Sequence, residues 1–281
     1  MSTPPFLTLP ECARAVRLAG WAALWAEPTG PVAGTALLVP GFTGSKEDFV
    51  ALLEPLADAG FRIVAVDQRG QYETGGPDDP SAYATAALGA DVHALTAEIL
   101  RRTGDEAIHL LGHSFGGHVV REAVLQDARP WRSLTLLSTG PAAIDPSEAA
   151  RTKLLLDALE SMDLESIWQV MQQLDEGKNP PPSRAVAEFL HRRWLANVPQ
   201  SLKTTGAHLV SAQDRVDELA AVGLRTHVVS GTQDYAWPVP EQSAMAERLH
   251  ARRTVVAGAG HSPNAERPAE TAAALAAFWT A

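Results

Sequence analysis

Cysteine is almost missing from this chain of 281 residues, where Cys12 stands alone. No internal disulfide can form, and the thiol content gives no sign of an oxidising compartment. Surplus positive charge is missing too. Lys and Arg number 23 against 33 Asp and Glu, for a formal net charge of -10 and a pI near 5.4. Nucleic-acid binding usually needs a clustered basic surface, so that class is disfavoured. The pairs Arg101-Arg102, Arg192-Arg193 and Arg252-Arg253 are scattered and read as solvated helix ends. No apolar run approaches the roughly 20 residues that span a bilayer. The opening MSTPPFLTLPECARAV lacks the cationic start and apolar core of a signal peptide, so a cytoplasmic location is expected. With no Cys pair and no H-E-x-x-H spacing, no metal site can be named. No G-x-G-x-x-G follows the first parallel-type strand to hold a dinucleotide. No cofactor is therefore expected. Internal repeats and low-complexity tails are also absent.

What is present is an alternation of short β-type runs with longer helical segments. The runs are Ala36–Val39, Arg62–Val66, Ile108–Leu111, Leu134–Leu137, His227–Val229 and Thr254–Val256. Each is largely apolar without strict alternation, as expected of strands buried on both faces of a parallel sheet. Ser45 and Asp48 resemble a capping box before Phe49, Leu52, Leu53 and Leu56. Pro55 is expected to kink that helix and Gly60 to end it. Leu88, Val92, Leu95 and Ile99 recur at helical spacing, as do Val119, Val120, Ala123 and Val124. Residues Val16 to Ala26 read as one or two antiparallel strands at the sheet edge. The fold class is α/β, a mostly parallel sheet covered by helices on both sides.

One region breaks the rhythm. Between Pro141 and about Arg215 there is no convincing strand, only apolar helical stripes: Leu154, Leu155, Leu159 and Met162; Ile167, Trp168, Met171 and Leu174; Leu190 and Trp194. The Asn179-Pro180-Pro181-Pro182 stretch separates two helical pieces. We expect a core formed by residues 1–140 and 216–281, with residues 141–215 as a helical lid inserted between core strands, where open α/β sheets bind ligands.

The chemistry concentrates in IHLLGHSFGG, residues 108–117, where an apolar run ends at the G-x-S-x-G pentapeptide Gly112 to Gly116. Small residues around a hydroxyl at a strand end suit a strained strand-to-helix turn that presents the Ser oxygen. A neutral hydroxyl is a poor nucleophile and needs a base, itself oriented by a carboxylate. His261, on the Gly-rich loop after the last run, is the candidate base, and Asp234, in VVSGTQD, is the candidate acid. All three follow carboxyl ends of parallel strands and so share one sheet edge. Asp145, one strand earlier, is the other available carboxylate. His109, His113 and His118 flank the turn as packing or supporting groups, and Asp214 and Asp217 read as cap or surface charges.

The order Ser114, Asp234, His261 is that of the α/β-hydrolase superfamily, and from about Ala33 to the C-terminus the chain resembles an esterase or lipase of that fold with a helical cap. The resemblance implies that the loop LLVPGFTGS supplies a first oxyanion-hole amide at Phe42, with the Phe115 N–H as the second donor. Pro40 stands where the family usually has His, a departure that leaves a backbone amide intact. Asp67-Gln68-Arg69-Gly70 matches a family segment that orders loops near the site. Relatives that open epoxides or remove halogen use a carboxylate nucleophile, which Ser114 is not.

The expected activity is cofactor-independent hydrolysis of a carboxylic ester of a hydrophobic small molecule. A thioesterase, a carbon–carbon bond hydrolase or a perhydrolase would keep the same triad, and a non-catalytic ligand receptor on the same fold is the rival of another class. The expected acyl pocket is apolar, lined by Met162, Trp168, Met171, Trp194 and Trp237. The oligomeric state is left open by the sequence.

Overall fold

The computed structural model describes residues 2–174 and 180–281, so Asn179 of the expected proline-rich break lies outside the described residues. Eight strands form one sheet: β1 Ala13–Leu18, β2 Trp21–Ala26, β3 Gly34–Val39, β4 Phe61–Val66, β5 Ile108–His113, β6 Trp131–Leu137, β7 Thr226–Gly231 and β8 Arg252–Val256. Their spatial order is β1-β2-β4-β3-β5-β6-β7-β8. From β4 to β8 the pairings are parallel, while β1 and β2 form an antiparallel edge. The central strands β3 and β5 are buried at every position, which is why their sequences lack alternation. Edge strand β1 is partly exposed and carries Arg14 and Arg17 outward.

Helices cover both faces. On one side α1 Val50–Asp58 and α11 Pro268–Trp279 pack through Leu52, Leu53, Leu56, Leu275 and Phe278. On the other, α2 Thr85–Thr103, α3 Phe115–Gln126, α8 Val216–Val222 and α9 Val239–Arg248 bury Leu88, Val92, Leu95, Val119, Val120, Leu219 and Met245. A 3₁₀ turn, Lys46–Phe49, precedes α1, and the Ser45 N–H donates to Asp48 Oδ2 at 3.4 Å. Pro55 is accommodated inside α1, and left-handed Gly60 (φ 89°) follows its end. A one-turn helix, α10 Pro263–Glu266, follows β8.

Between β6 and α8 come α4 Pro146–Leu159, α5 Leu164–Leu174, α6 Arg184–Leu195 and α7 Pro199–Ser211, with no strand among the described residues there. Their apolar faces meet one another around Leu159, Ile167, Trp194 and Leu202. One charge in α6 departs from the sequence reading. Arg193 is no solvated helix end: it is fully buried, pairing with Asp48 at 2.6 Å and donating to the Ser2 carbonyl at 2.7 Å. It sits on the same helical stripe as Leu190 and Trp194, so the face that carries it inward is the apolar one. Arg252 and Arg253 lie within β8 rather than at a helix end.

Candidate active site

The order in which parallel strands are added reverses at β3, which has β4 on one side and β5 on the other. Such a switch point leaves a crevice at the strand carboxyl ends. Two backbones meet there. After β5, Ser114 adopts φ 54°, ψ -123°, a conformation that L side chains rarely enter, and α3 starts at the next residue. The flanking glycines are steric necessities. A Cβ at Gly116 would strike the Val39 and Pro40 carbonyl oxygens, and one at Gly112 would strike the backbone of Gly116. After β3, Gly41 lies so close that a Cβ there would fall 2.8 Å from Ser114 Cβ.

His261 and Asp234 reach Ser114 from the ends of β8 and β7. His261 Nε2 lies 3.0 Å from Ser114 Oγ, and His261 Nδ1 donates to Asp234 Oδ1 at 2.8 Å. That donation leaves Nε2 as the acceptor for the Ser hydroxyl proton. Asp234 is 8% exposed. Burial opposes its ionisation, but hydrogen bonds from His261, the Ala236 amide and Gln242 hold the carboxyl below its ordinary value. Gln242 Nε2 donates to Asp234 Oδ2 at 2.9 Å, a support that sequence pattern did not single out. His113 donates through Nε2 to the His261 carbonyl at 2.9 Å, fixing the loop that carries the imidazole. Burial first, then the neighbouring His261, lowers His113 to about 3, so it is a neutral prop.

The two remaining carboxylate questions are answered by position. Asp145 caps α4, accepting from the Ser147 amide at 2.8 Å and its hydroxyl at 2.6 Å. Asp214 and Asp217 bind Arg248 on the surface. His109 bonds Ser133 and stacks on Trp279, and His118 pairs with His208 at 3.1 Å.

Phe42 shares the cavity wall with Ser114, Phe115 follows Ser114 in the chain, and no acceptor is seen for either backbone N–H among the described residues. The Phe42 loop is held by its carbonyls. Gln68 Nε2 donates to Pro40 O at 2.7 Å and Gln71 Nε2 to Gly41 O at 2.8 Å. In the same segment buried Asp67 accepts from the Lys46 amide at 2.8 Å and from its ammonium at 3.1 Å, while Arg69 bonds Asp91. These bonds tie the loop after β3 to the segment after β4.

A cavity of about 160 Å³ opens onto Ser114 and His261. Phe42, Ile144, Leu209 and Ala236 give it apolar walls, and Thr43, Glu148, Thr152 and Tyr235 give it polar ones. None of the five residues expected to line it does so. Trp194 is fully buried among α4 to α7, its indole N–H donating to the Leu164 carbonyl at 2.7 Å. Trp168 stacks on His191 and, with Met171, packs within the inserted helices, while Met162 is exposed at the turn after α4. Trp237 is fully buried against Gly140, donates to Ala142 O at 3.0 Å, and lies 6.2 Å from the His261 ring. Among the described residues no cluster of His, Cys, Asp and Glu has metal-site geometry, and no helix is long and apolar enough to cross a membrane.

Residues 36–274 match the family model described as the alpha/beta hydrolase family. The chain belongs to that family. It is 29% identical over 243 residues to the dihydrolipoyllysine-residue acetyltransferase component of the acetoin cleaving system of Cupriavidus necator, a match covering 85% of this chain and 61% of that relative. The chain thus spans about three-fifths of that relative's length. It is 25% identical over 308 residues to epoxide hydrolase A of Mycobacterium tuberculosis, covering 90% and 92% of the two chains. Among solved structures, a thermophilic esterase from Thermogutta terrifontis superposes with a TM-score of 0.73 at 22% identity over 95% of this chain and 98% of that one. An enol-lactonase from Burkholderia xenovorans gives the same TM-score at 16% identity, covering 95% and 100%. These structural likenesses establish the alpha/beta hydrolase fold, and the family is one of hydrolases.

Proposed function

We propose that this alpha/beta hydrolase is a serine hydrolase that cleaves a carboxylic ester of a small molecule through an acyl-enzyme. The observation that carries the reading is the unbroken line from Ser114 Oγ to His261 Nε2 at 3.0 Å and from His261 Nδ1 to Asp234 at 2.8 Å. Ser114 Oγ adds to the ester carbonyl while His261 takes its proton. The Phe42 and Phe115 amides receive the developing oxyanion, where one such donor is typically worth about 2.7–4 kcal/mol. The tetrahedral adduct collapses, the C–O bond breaks, and His261 returns the proton to the leaving alcohol. Water then adds to the acyl-enzyme with His261 again as base, the bond to Ser114 Oγ breaks as His261 returns the proton to it, and the carboxylic acid is released. Asp234 stays ionised throughout and stabilises the imidazolium.

Residues 141–215 act in this reading as a cap over the 1–140 and 216–281 core. Support comes from α4 and α7, which supply Glu148, Thr152 and Leu209 to the cavity wall. The cavity's volume is below the roughly 300 Å³ at which drug-sized pockets begin. With its mixed lining, it favours a short acyl group and departs from the wholly apolar acyl pocket expected from the sequence. An epoxide substrate is disfavoured because Ser114 offers no carboxylate nucleophile.

Activity on p-nitrophenyl esters of graded chain length, beside thioesters and a vinylogous diketone, tests the reading. Fluorophosphonate should label wild type at one site and leave Ser114→Ala unlabelled, with ester turnover falling by up to about a millionfold. Slow or absent labelling of folded wild type would favour a non-catalytic receptor.

A further inference from the structure

A second cavity, of about 230 Å³, lies between α3 and α7 and is lined by His118, Arg121, Glu122, His208, Ser211 and Arg215 among others. It shares no lining residue with the cavity at Ser114. Its chief feature is a guanidinium. Arg121 is only 5% exposed, and its one hydrogen bond among the described residues goes to the Pro141 carbonyl at 2.7 Å. The nearby carboxylates are engaged elsewhere: Glu122 and Glu218 both bond Arg215, and Asp214 bonds Arg248. A buried charge with no direct ion pair is costly unless something polar completes it. Arg215 is thus shared between two glutamates, whereas Arg121 forms no ion pair among the described residues, and its guanidinium lines the cavity. The histidines add no charge, because burial keeps His208 at about 4 and His118 well below its ordinary value, so both are neutral near pH 7.

We propose that this cavity is a binding site for a small carboxylate, held by the Arg121 guanidinium between α3 and α7. A planar carboxylate matches the guanidinium fork, and the volume admits a short-chain acid with water. The ligand would join two parts of the protein. Arg121 lies on the helix that begins at Phe115, and His208 of α7 meets the Phe115 ring edge-on at 5.8 Å. Arg121 also holds the carbonyl of Pro141, where the chain leaves the sheet for α4.

The test measures the melting temperature of the full chain in sodium acetate against sodium chloride at equal ionic strength. Wild type should show a saturable rise specific to acetate. Arg121→Gln should bind acetate at least about tenfold more weakly, the loss expected for one hydrogen bond to a charged group. Ser211→Trp fills the cavity from its exposed rim, leaves Arg121 untouched, and should also lose the response. It carries the test if Arg121→Gln does not fold. The proposal is overturned if acetate gives wild type no rise beyond chloride. An undiminished rise in folded Arg121→Gln or in Ser211→Trp would also overturn it, by placing the acetate elsewhere. A response to inorganic phosphate with none to acetate would reject the carboxylate assignment.

Discussion

Replacing Arg193 by Met should expose how strongly the inserted helices depend on one buried ion pair. Arg193 and Asp48 are both shielded from water, 2.6 Å apart, one on α6 and the other in the turn before α1. Remove the guanidinium and Asp48 keeps only the long bond from the Ser45 amide at 3.4 Å. Burial already pushes the Asp48 carboxyl above its ordinary value of 3.8 despite Arg193. Without Arg193 the folded state must hold it protonated. Taking up that proton at pH 7 costs at most about 4 kcal/mol, at 1.36 kcal/mol per pH unit above 3.8, less the part that burial already imposes on the wild type. This agrees with the roughly 3–5 kcal/mol typical of breaking a buried pair from one side. For a domain of this size it corresponds to a fall of at most about 8 °C in Tm. The sign follows from linkage. In the variant the folded pKa is raised above the unfolded one, so the deficit is largest at neutral pH and shrinks as pH falls toward 4. At pH 5 at most about 1.6 kcal/mol should remain from this cause. Asp48→Asn combined with Arg193→Met should recover much of the loss. Urea denaturation followed by circular dichroism at pH 7 and pH 5 measures all of this. A loss under about 1 kcal/mol at pH 7, or one that does not shrink at pH 5, refutes the reasoning.

Asp234→Asn should lower kcat about ten-thousandfold by leaving the imidazole in the wrong tautomer, while Asp145→Asn should be nearly silent; ester kinetics on both variants, matched for Tm, would separate them. Trp194→Ala should destabilise by about 3–5 kcal/mol in urea melts and leave the ranking of acyl chain lengths unchanged, because the indole fills the inserted helices and not the cavity. Leu209→Trp, at the cavity wall, should shift kcat/KM toward the shortest acyl groups, by roughly 1–3 kcal/mol of discrimination per methylene. His109, His113 and His227 are buried, and burial, the largest cause, lowers them to about 4, 3 and 3 from 6.5. Their depressed folded values mean stability is full above 6.5 and lost as pH falls below it, up to about 1.4 kcal/mol for each histidine by pH 5.5. Melts from pH 7.5 to 5.5 should therefore show a fall of several degrees, and a flat profile would count against neutral burial.

The strands were legible because a strand buried on both faces writes an unbroken apolar run, as in Leu37-Leu38-Val39 and Leu110-Leu111. Ser114, Asp234 and His261 were legible as a group because each lies just past the carboxyl end of a parallel strand, so the topology brings them to one edge. The cavity wall was not. It is assembled from Phe42, Thr152, Leu209 and Tyr235, which come from separate loops and helices and carry no shared period. Trp168 and Trp194 misled for a related reason. A helical stripe says that a face is buried, but not whether the core or a neighbouring helix buries it. Here α4 to α7 bury one another, and the Leu164 carbonyl satisfies the Trp194 indole. Arg193 was misread because charge usually implies solvent, and its partner Asp48 is far off in sequence.

Pro40 shows how a departure from the family's usual residue can be absorbed. What the proposed chemistry needs from this loop is the Phe42 amide, so any residue that leaves the backbone in place will serve. That placement is fixed from two sides. Gln68 and Gln71 hold the carbonyls of Pro40 and Gly41, and Gly116 lets the Val39 and Pro40 carbonyls press against the first turn of α3. The same contact confines Ser114, whose left-handed backbone would cost roughly 1–3 kcal/mol if it were free to relax. A Cβ at residue 116 would separate the two backbones, displacing the Phe42 amide and releasing the turn at Ser114 together. Gly116→Ala should thus cost both stability and turnover, whereas Pro40→His should spare turnover. Urea melts and ester kinetics on both variants compare them. Full turnover in a folded Gly116→Ala protein would mean that the two loops do not depend on each other.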